Sequence, residues 1–346
     1  MGKRALAIVF ACLLTAFLGV GAQAQSRNKI RIATGGPSLS YFPIYAAVQK
    51  GFFARRGFDV EMIQMNATLT AAALLNHAID YTIIPSAIAT AAARGAPAKV
   101  IFFASVKLQH TLVVRPDIGS VTDLAGKRIA ATGFGNLLAY EIQFLIDRYK
   151  LGPKTTIVTA QSALDRLIAI QKGLADGAII PAPADLKGEE MGLKRLLQMG
   201  TVLQIPQAGL AAIDEKIKIK HGEVIEVLKA SIEGLDFTLT QPEEATAIIG
   251  KWMALTPAQA AKAYESVKET YSHDGLPTQE QSKAYIAFLA ATAGLSPDLP
   301  AATIFDFSLS STAAERARGK KIATVGVRGF GPGLFHLRGF SSQSTA

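Results

Sequence analysis

Apolar positions alternate between two periods along this chain, and the switches define its elements. Lys29 to Ala33 alternates as a strand, Ile44 to Phe53 carries an apolar helical stripe ending near Gly57, and Asp59 to Gln64 returns to strand. Thr68 to Asn76 reads as a helix, Tyr81 to Ile84 as a strand, Pro85 to Arg94 as a helix stopped at Gly95, and Val100 to Ala104 as a strand. This βαβαβαβ order predicts an α/β fold built on a mostly parallel sheet with helices on both faces.

The pattern then repeats. "RIATGG" at 31 recurs as "RIAATGFG" at 128, and "AIDYTIIPSA" at 78 as "LADGAIIPAP" at 174, at offsets of 97 and 96 residues and in the same order. Two doubly wound lobes of similar topology follow. Between them, Thr111 to Arg115 is strand-like before Pro116, Asp117 and Gly119. After the second unit, "MGTVLQIPQAGLAAID" again reads strand, breaker, strand. From Ile217 the chain turns helical, over 224–240, 243–253, 257–271 and 279–293. These helices are needed to cover the first lobe. The expected path is therefore lobe 1 (25–112 and 207–314), lobe 2 (113–206) and two crossings forming a hinge near 110–115 and 202–210. The ligand position for such a sheet is the cleft where strand ends and helix starts of both lobes meet.

The chain ends modify this picture. Lys3 and Arg4, an apolar run from Ala5 to Val20, and Ala22-Gln23-Ala24 read as a signal peptide over 1–24, which predicts an exported, periplasmic protein. Cys12, the only cysteine, lies inside that leader, so the mature chain has neither disulfide nor thiol chemistry. Residues 315–346 are basic, glycine- and serine-rich and without period, and are expected to be disordered. The net charge of +9 comes mostly from leader and tail; the body, 25–314, holds 28 basic and 26 acidic residues. A near-neutral body removes the main support for nucleic-acid binding.

Catalytic and metal motifs are missing. The five histidines (His77, His110, His221, His273 and His336) show no metal spacing. No G-x-S-x-G surrounds a serine, and "GFGNLL" has Leu138 where a dinucleotide loop needs its third glycine. Asp80 and Asp176 occupy equivalent places before a strand, where a structural turn is the simpler role than acid–base chemistry. No catalytic residue, metal or cofactor is assigned.

Binding chemistry is better represented. Gly35, Gly36, Ser38, Ser40 and Tyr41 stand before the first helix, where glycines admit close approach and helix N–H groups are free. Asn66 and Thr68 precede the second helix, and Ser86 opens the third. In the second unit Thr132, Gly133, Gly135 and Asn136 hold the matching helix start, and Ala182 and Pro183 follow the last matching strand. Ser, Thr and Asn also cap helices with no ligand involved, and at Thr68 capping is the simpler reading. Tyr41 and Phe42 either stack on a planar solute or pack in the core.

Four phrases carry a resemblance: "FPIYAAVQKGFFARRGFDVEMI", "AALLNHAIDYTIIPSAIATAAARGAPAKVI", "VTDLAGKRIAATGFGNLLAYEIQFLIDRYKL" and "SALDRLIAIQKGLADGAIIPAPAD". Together with the closing "TIFDFSLSSTAAERA", they make residues 28 to 317 resemble the nitrate/sulfonate/taurine-type solute-binding proteins of ABC importers, of periplasmic binding protein type II fold. The resemblance implies a monomer without chemistry. It would capture a small oxyanion or organic acid, sulfonate-like, nitrate-like or aromatic, between closing lobes and deliver it to an inner-membrane permease. By position it places the contacts at Gly36, Ser38, Tyr41, Asn66, Ser86, Thr132 to Asn136 and the loop after Ile180. A periplasmic sensor-input protein would share the fold and remains the alternative.

Overall fold

A computed structural model describes residues 27–133 and 136–317. The leader, Gly135 and the tail beyond 317 lie outside the described residues.

The first repeat builds β1 (Asn28–Thr34), α1 (Phe42–Gln49), β2 (Phe58–Gln64), α2 (Ala67–Leu75), β3 (Tyr81–Thr82), α3 (Pro85–Ala93) and β4 (Ala98–Ser105). The second builds β5 (His110–Val114), β6 (Arg128–Ala131), α4 (Leu137–Arg148), β7 (Thr156–Thr159), α5 (Ala163–Gln171), β8 (Gly177–Pro181), α6 (Ala184–Glu190) and β9 (Lys194–Gln198). Then come β10 (Ala208–Ile213), α7 (Asp214–Ile219), α8 (His221–Thr240), α9 (Pro242–Met253), α10 (Pro257–Val267), α11 (Gln279–Ala293), α12 (Ala301–Ile304) and α13 (Ser308–Ala317).

The strands form two five-stranded sheets of the same plan, β2-β1-β3-β10-β4 and β7-β6-β8-β5-β9. In each, the second strand in the order pairs in parallel with its two repeat partners. The fourth strand in each order runs antiparallel to both its neighbours. That strand is always the one arriving from the other sheet, β10 in the first and β5 in the second. The crossings are residues 106–109 and 199–207. Residues 110–115 were expected to belong to the hinge. Instead, His110 to Val114 pairs along its length with β8 and lies wholly in the second sheet.

The two crossings touch. Gln207 N–H donates to Ser105 O at 2.9 Å. A Cβ on Gly209 would sit 1.9 Å from Phe102 O, so only glycine lets β10 enter beside β4.

Packing follows the alternation that predicted it. Ile30 and Ile32 of β1 share a core with Phe42, Phe53, Val224, Leu228 and Leu235, which seats α8 against α1 and the first sheet. The opposite face buries Phe103, Tyr285, Phe288 and Phe305, and Phe103 meets Tyr285 edge-on at 5.5 Å. Here the late helices do more than cover the first sheet. Phe288 of α11 meets Tyr140 of α4 edge-on at 5.5 Å, so α11 spans both units.

Two element ends differ from expectation. The helix predicted over 257–271 ends at Val267, because residues 268–270 tighten into a 3₁₀ turn and Tyr271 becomes extended. Its hydroxyl donates to Leu39 O at 2.8 Å, tying that segment to the first loop. Disorder from 315 is also corrected: α13 continues through Ala317, with Ala313 and Ala314 buried. No helix among the described residues is long and apolar enough to cross a membrane.

Candidate functional site

A cavity of about 610 Å³ runs along α3 from Ser86 to Arg94, between the starts of α2 and α4, walled by the second crossing and roofed by α11. Ser86 and Thr90, one helical turn apart on α3, line one side; Asn136 and Leu137 at the start of α4 line the other. Gln207 closes the back, and Tyr285, Phe288 and Leu289 form the roof. Alanines 67, 71, 87, 91 and 293 complete a mostly apolar wall.

Its polar groups are few and placed by local rules. Asn136 caps α4: its Oδ1 accepts from Ala139 N–H at 3.1 Å and its Nδ2 donates to Gly133 O at 2.9 Å. Ser86 sits in the first turn of α3 behind Pro85, and its hydroxyl makes no hydrogen bond within the described residues. Tyr285 is 1% exposed and its hydroxyl is also without a partner there; burial pushes its phenol upward, so it stays a neutral donor. Arg94 is the one cation on the lining; it is exposed and donates to Ala293 O at 3.1 Å.

Of the residues expected from sequence, Ser86 and Asn136 line this cavity. Asn66 stands immediately before α2, and its carbonyl accepts from Leu69 N–H at 3.0 Å and Thr70 Oγ1 at 3.1 Å. Thr132 is half-buried, and its carbonyl accepts from Gln161 Nε2 at 3.3 Å; Gly133 holds φ +132°. Gly135 lies outside the described residues. Ala182 is buried, its N–H donating to Gln109 O at 2.9 Å.

The first loop is more self-contained than its composition suggested. Ser38 caps a 3₁₀ turn over Leu39–Tyr41, and its Oγ is 2.9 Å from Ser40 Oγ. Gly35 and Gly36 are not in the left-handed region. A Cβ on Gly35 would meet the Tyr41 hydroxyl at 3.2 Å, whereas Gly36 has open space, its nearest neighbour being Gln64 Nε2 at 3.8 Å. Burial pushes the Tyr41 phenol up to about 12.

Pro37 faces a second cavity of about 570 Å³, shared with Pro183, Leu186, Lys187, Trp252 and Leu255. That side is bridged by Gln259 Nε2 donating to Glu190 Oε1 at 2.7 Å and by a Lys262–Glu189 ion pair. Where one cleft was expected, two separate cavities are found. Thr90, Gln207, Tyr285 and Phe288 were missed. Thr90 was legible as the i+4 neighbour of Ser86; the others come from the crossing and from a helix some 150 residues away, with no local signal.

Beside the cavity lies a buried hydrogen-bond chain. Gln109 N–H donates to Gln207 Oε1 at 3.0 Å, Gln207 Nε2 is 2.9 Å from His110 Nε2, and His110 Nδ1 is 2.5 Å from Glu141 Oε1. Glu141 is fully buried; burial pushes its carboxyl upward against the lowering effect of His110. Among the described residues no group of three or more His, Cys, Asp or Glu could hold a metal ion.

Comparison places this geometry among known proteins. The chain is 27% identical over 170 residues to the binding protein YtlA of Bacillus subtilis, covering 46% of this chain and 51% of that one. It is 24% identical over 223 residues to the riboflavin-binding protein RibY of Chloroflexus aurantiacus, covering 60% and 62%. It therefore spans about half to three-fifths of the curated relatives it matches. The periplasmic sulfonate-binding protein SsuA of Methylobacillus flagellatus superimposes with a TM-score of 0.70 at 16% identity, covering 90% of this chain and 99% of that one. The desulfurization enzyme DSZB shares the fold as well, with a TM-score of 0.66 at 10% identity over 84% and 99%. The paired sheets and double crossing are thus the fold of type II periplasmic binding proteins. The model of the NMT1/THI5-like family matches residues 39–245, and this chain belongs to that family.

Proposed function

We propose that this chain is the periplasmic solute-binding component of an ABC importer. Two lobes, 27–105 with 208–317 and 110–198, would close about the crossings onto one solute and deliver it to an inner-membrane permease, the protein acting as a monomer. The observation that carries this reading is the 610 Å³ cavity, bounded by helix starts from both sheets and by the crossing itself. A ligand that bridges both sides stabilises the closed arrangement by its differential affinity. The names of the relatives, binding proteins for sulfonate and riboflavin, support the same role.

The cavity favours an organic solute over nitrate. Its apolar wall and aromatic roof need an apolar body. The starts of α2, α3 and α4, with Ser86, Asn136 and Gln207, suit a sulfonate or carboxylate head without a buried cation. The enzymatic alternative offered by the DSZB fold lacks support in this site. Among the described residues the only ionisable groups on its lining are Arg94 and Tyr285, and the sole cysteine of the chain is Cys12.

A thermal-shift and calorimetric panel on the mature chain tests this, with alkyl and aryl sulfonates, aromatic carboxylates, riboflavin and nitrate. A solute at 100 times its Kd adds about 2.7 kcal/mol. Stabilisation by an aryl or alkyl acid, without turnover, is the expected outcome. Stabilisation by nitrate alone, or conversion of a bound acid to product, would overturn the reading.

A further inference from the structure

The half-buried amide of Gln207 is the polar part of the cavity's back wall, and both of its ends are already engaged by buried groups. Its Oε1 accepts from Gln109 N–H, so its Nε2 must be the end that meets His110 Nε2. An amide N–H can only donate there, which makes His110 Nε2 an acceptor. The imidazole proton is then on Nδ1, donating to Glu141 Oε1 at 2.5 Å. In this arrangement His110 is neutral and Glu141 is a carboxylate.

One added proton disrupts the arrangement wherever it lands. On the imidazole it puts an N–H on Nε2, facing the N–H of Gln207. On Glu141 Oε1 it donates back to Nδ1 and drives the imidazole proton to Nε2, with the same conflict. On Glu141 Oε2 it finds no acceptor, because that buried oxygen has no partner among the described residues. A protonated form that keeps the hydrogen bond at His110 Nε2 therefore requires the Gln207 amide to turn, offering Oε1 to His110 and leaving Gln109 N–H without that acceptor.

We propose that Gln207 is a specificity-determining residue of the solute cavity whose hydrogen-bonding polarity is set by one proton shared between His110 and Glu141. This rests on the solute-binding reading for its purpose, though not for its chemistry. It makes a wall with no charge on it sensitive to pH, and it links that wall to the contact between the two crossings.

No other charge competes for this role. On α4, Tyr140 is half-buried and Asp147 and Arg148 are exposed. On α11, Glu280 and Lys283 are exposed, and Tyr285 is neutral. On β9 and α6, Arg195 is paired with the buried Asp185 at 2.9 Å, and Lys194 donates to Ile118 O at 3.1 Å. The phenol of Tyr271, next to Gln109, is pushed upward by burial. β8 and β10 contribute no ionisable group. Among the described residues His110 is the one ionisable side chain that acts on Glu141 besides burial.

The test is nitrogen-15 NMR on the full mature chain without added solute, scanned between about pH 8 and 5, where a histidine changes charge. The His110 signals are identified by their loss in His110→Asn. At the alkaline end His110 is expected to carry its proton on Nδ1 with Nε2 unprotonated. As the pair takes up a proton, the Gln207 side-chain amide and the Gln109 backbone N–H should shift with the same midpoint as His110. Glu141→Gln removes the carboxylate, and the proton affinity of His110 should fall roughly tenfold or more. An Nε2–H tautomer at the alkaline end, a Gln207 amide that ignores the His110 titration, or an unchanged midpoint in Glu141→Gln would each overturn the proposal. None of these readouts needs a ligand. Failure of the solute panel would strike the importer reading and leave this result standing, and the reverse also holds.

Discussion

The two repeats hold β1 and β6 with the same staple in different surroundings. In the first, Arg31 N–H donates to Asp80 Oδ2 at 2.8 Å, Asp80 N–H returns to Arg31 O at 2.8 Å, and Arg31 Nη2 reaches His77 O at 3.0 Å. In the second, Arg128, Asp176 and Gly173 reproduce these contacts at 2.9, 2.8 and 2.7 Å. What differs is what surrounds the carboxylate. The Asp176 side chain is 6% exposed and also takes Arg115 at 3.1 Å; the Asp80 side chain is 20% exposed and takes Lys216 of α7 at 2.9 Å. The second staple is closed by its own unit, whereas the first depends on chain that returns from the other sheet. A repeated motif thus fixes geometry, and its burial fixes how much stability it carries.

That contrast gives the largest expected effect. Asp176→Ala leaves a backbone N–H without its acceptor and takes one partner from each of two guanidinium groups in the more buried setting, and should cost about 2 kcal/mol; Asp80→Ala should cost about 1. For a chain of this size each kcal/mol is a shift of roughly 2–4 °C in thermal unfolding. Equal losses, or a larger one at Asp80, would break the comparison.

Acid should find the first staple through Lys216. Burial alone would raise the Asp80 carboxyl, but the Arg31 N–H and the Lys216 ammonium outweigh it and hold it below the ordinary carboxylate range. A depressed folded value means the stability is present above the unfolded value, about 3.9, and is lost as pH falls through the folded one. Lys216→Met should therefore lower thermal stability at neutral pH and flatten the part of the acid limb that the unaltered chain loses below about 3.9. Superimposable acid limbs would remove Lys216 from the staple.

The turn before each staple differs by one residue. His77 and Gly173 both follow a helix end in the left-handed region, at φ +58° and +69°, with matching 6→1 bonds, Ala78 N–H to Ala73 O and Leu174 N–H to Ala169 O. The second repeat uses glycine, and the first tolerates a side chain there. His77→Gly should stabilise by about 1 kcal/mol, read as a rise in unfolding temperature. A fall would show that the exposed His77 side chain contributes more than the backbone loses.

Much of this pairing was legible because it is local. Offsets of 97 and 96 residues aligned Arg31 with Arg128 and Asp80 with Asp176, and a polar residue before a strand implied a turn. The helix spanning 279–293 was also read with its true ends, since Thr278 and Gln281 form a capping box and Gly294 follows at φ +66°. The cavity was only half legible. Ser86 and Asn136 announce themselves as polar residues at helix starts. Gln207, Tyr285 and Phe288 reach it through the second crossing and the packing of α11 over α4, which no periodicity encodes. The serine hydroxyls of the first loop lie within hydrogen-bond reach of each other, and Ser38 caps a turn, a local role that their types also predict. The His110–Glu141 pair joins residues 31 apart through a fold that sequence spacing does not measure.

Two polar residues across the cavity sharpen the comparison at its smallest scale. Asn136 in the second unit caps a helix as well as facing the cavity, so Asn136→Ala should cost about 1 kcal/mol of stability together with solute affinity. Ser86 in the first unit has no hydrogen-bond partner among the described residues, so Ser86→Ala should leave unfolding within about 0.5 kcal/mol. Its effect should appear only when solute is bound. A net hydrogen bond of about 0.5–1.5 kcal/mol corresponds to a two- to tenfold weaker Kd, measured by calorimetry with the strongest acid from the panel. Stability lost without affinity would make Ser86 part of the scaffold; affinity lost without stability makes its hydroxyl a solute contact, because it has no hydrogen-bond partner among the described residues.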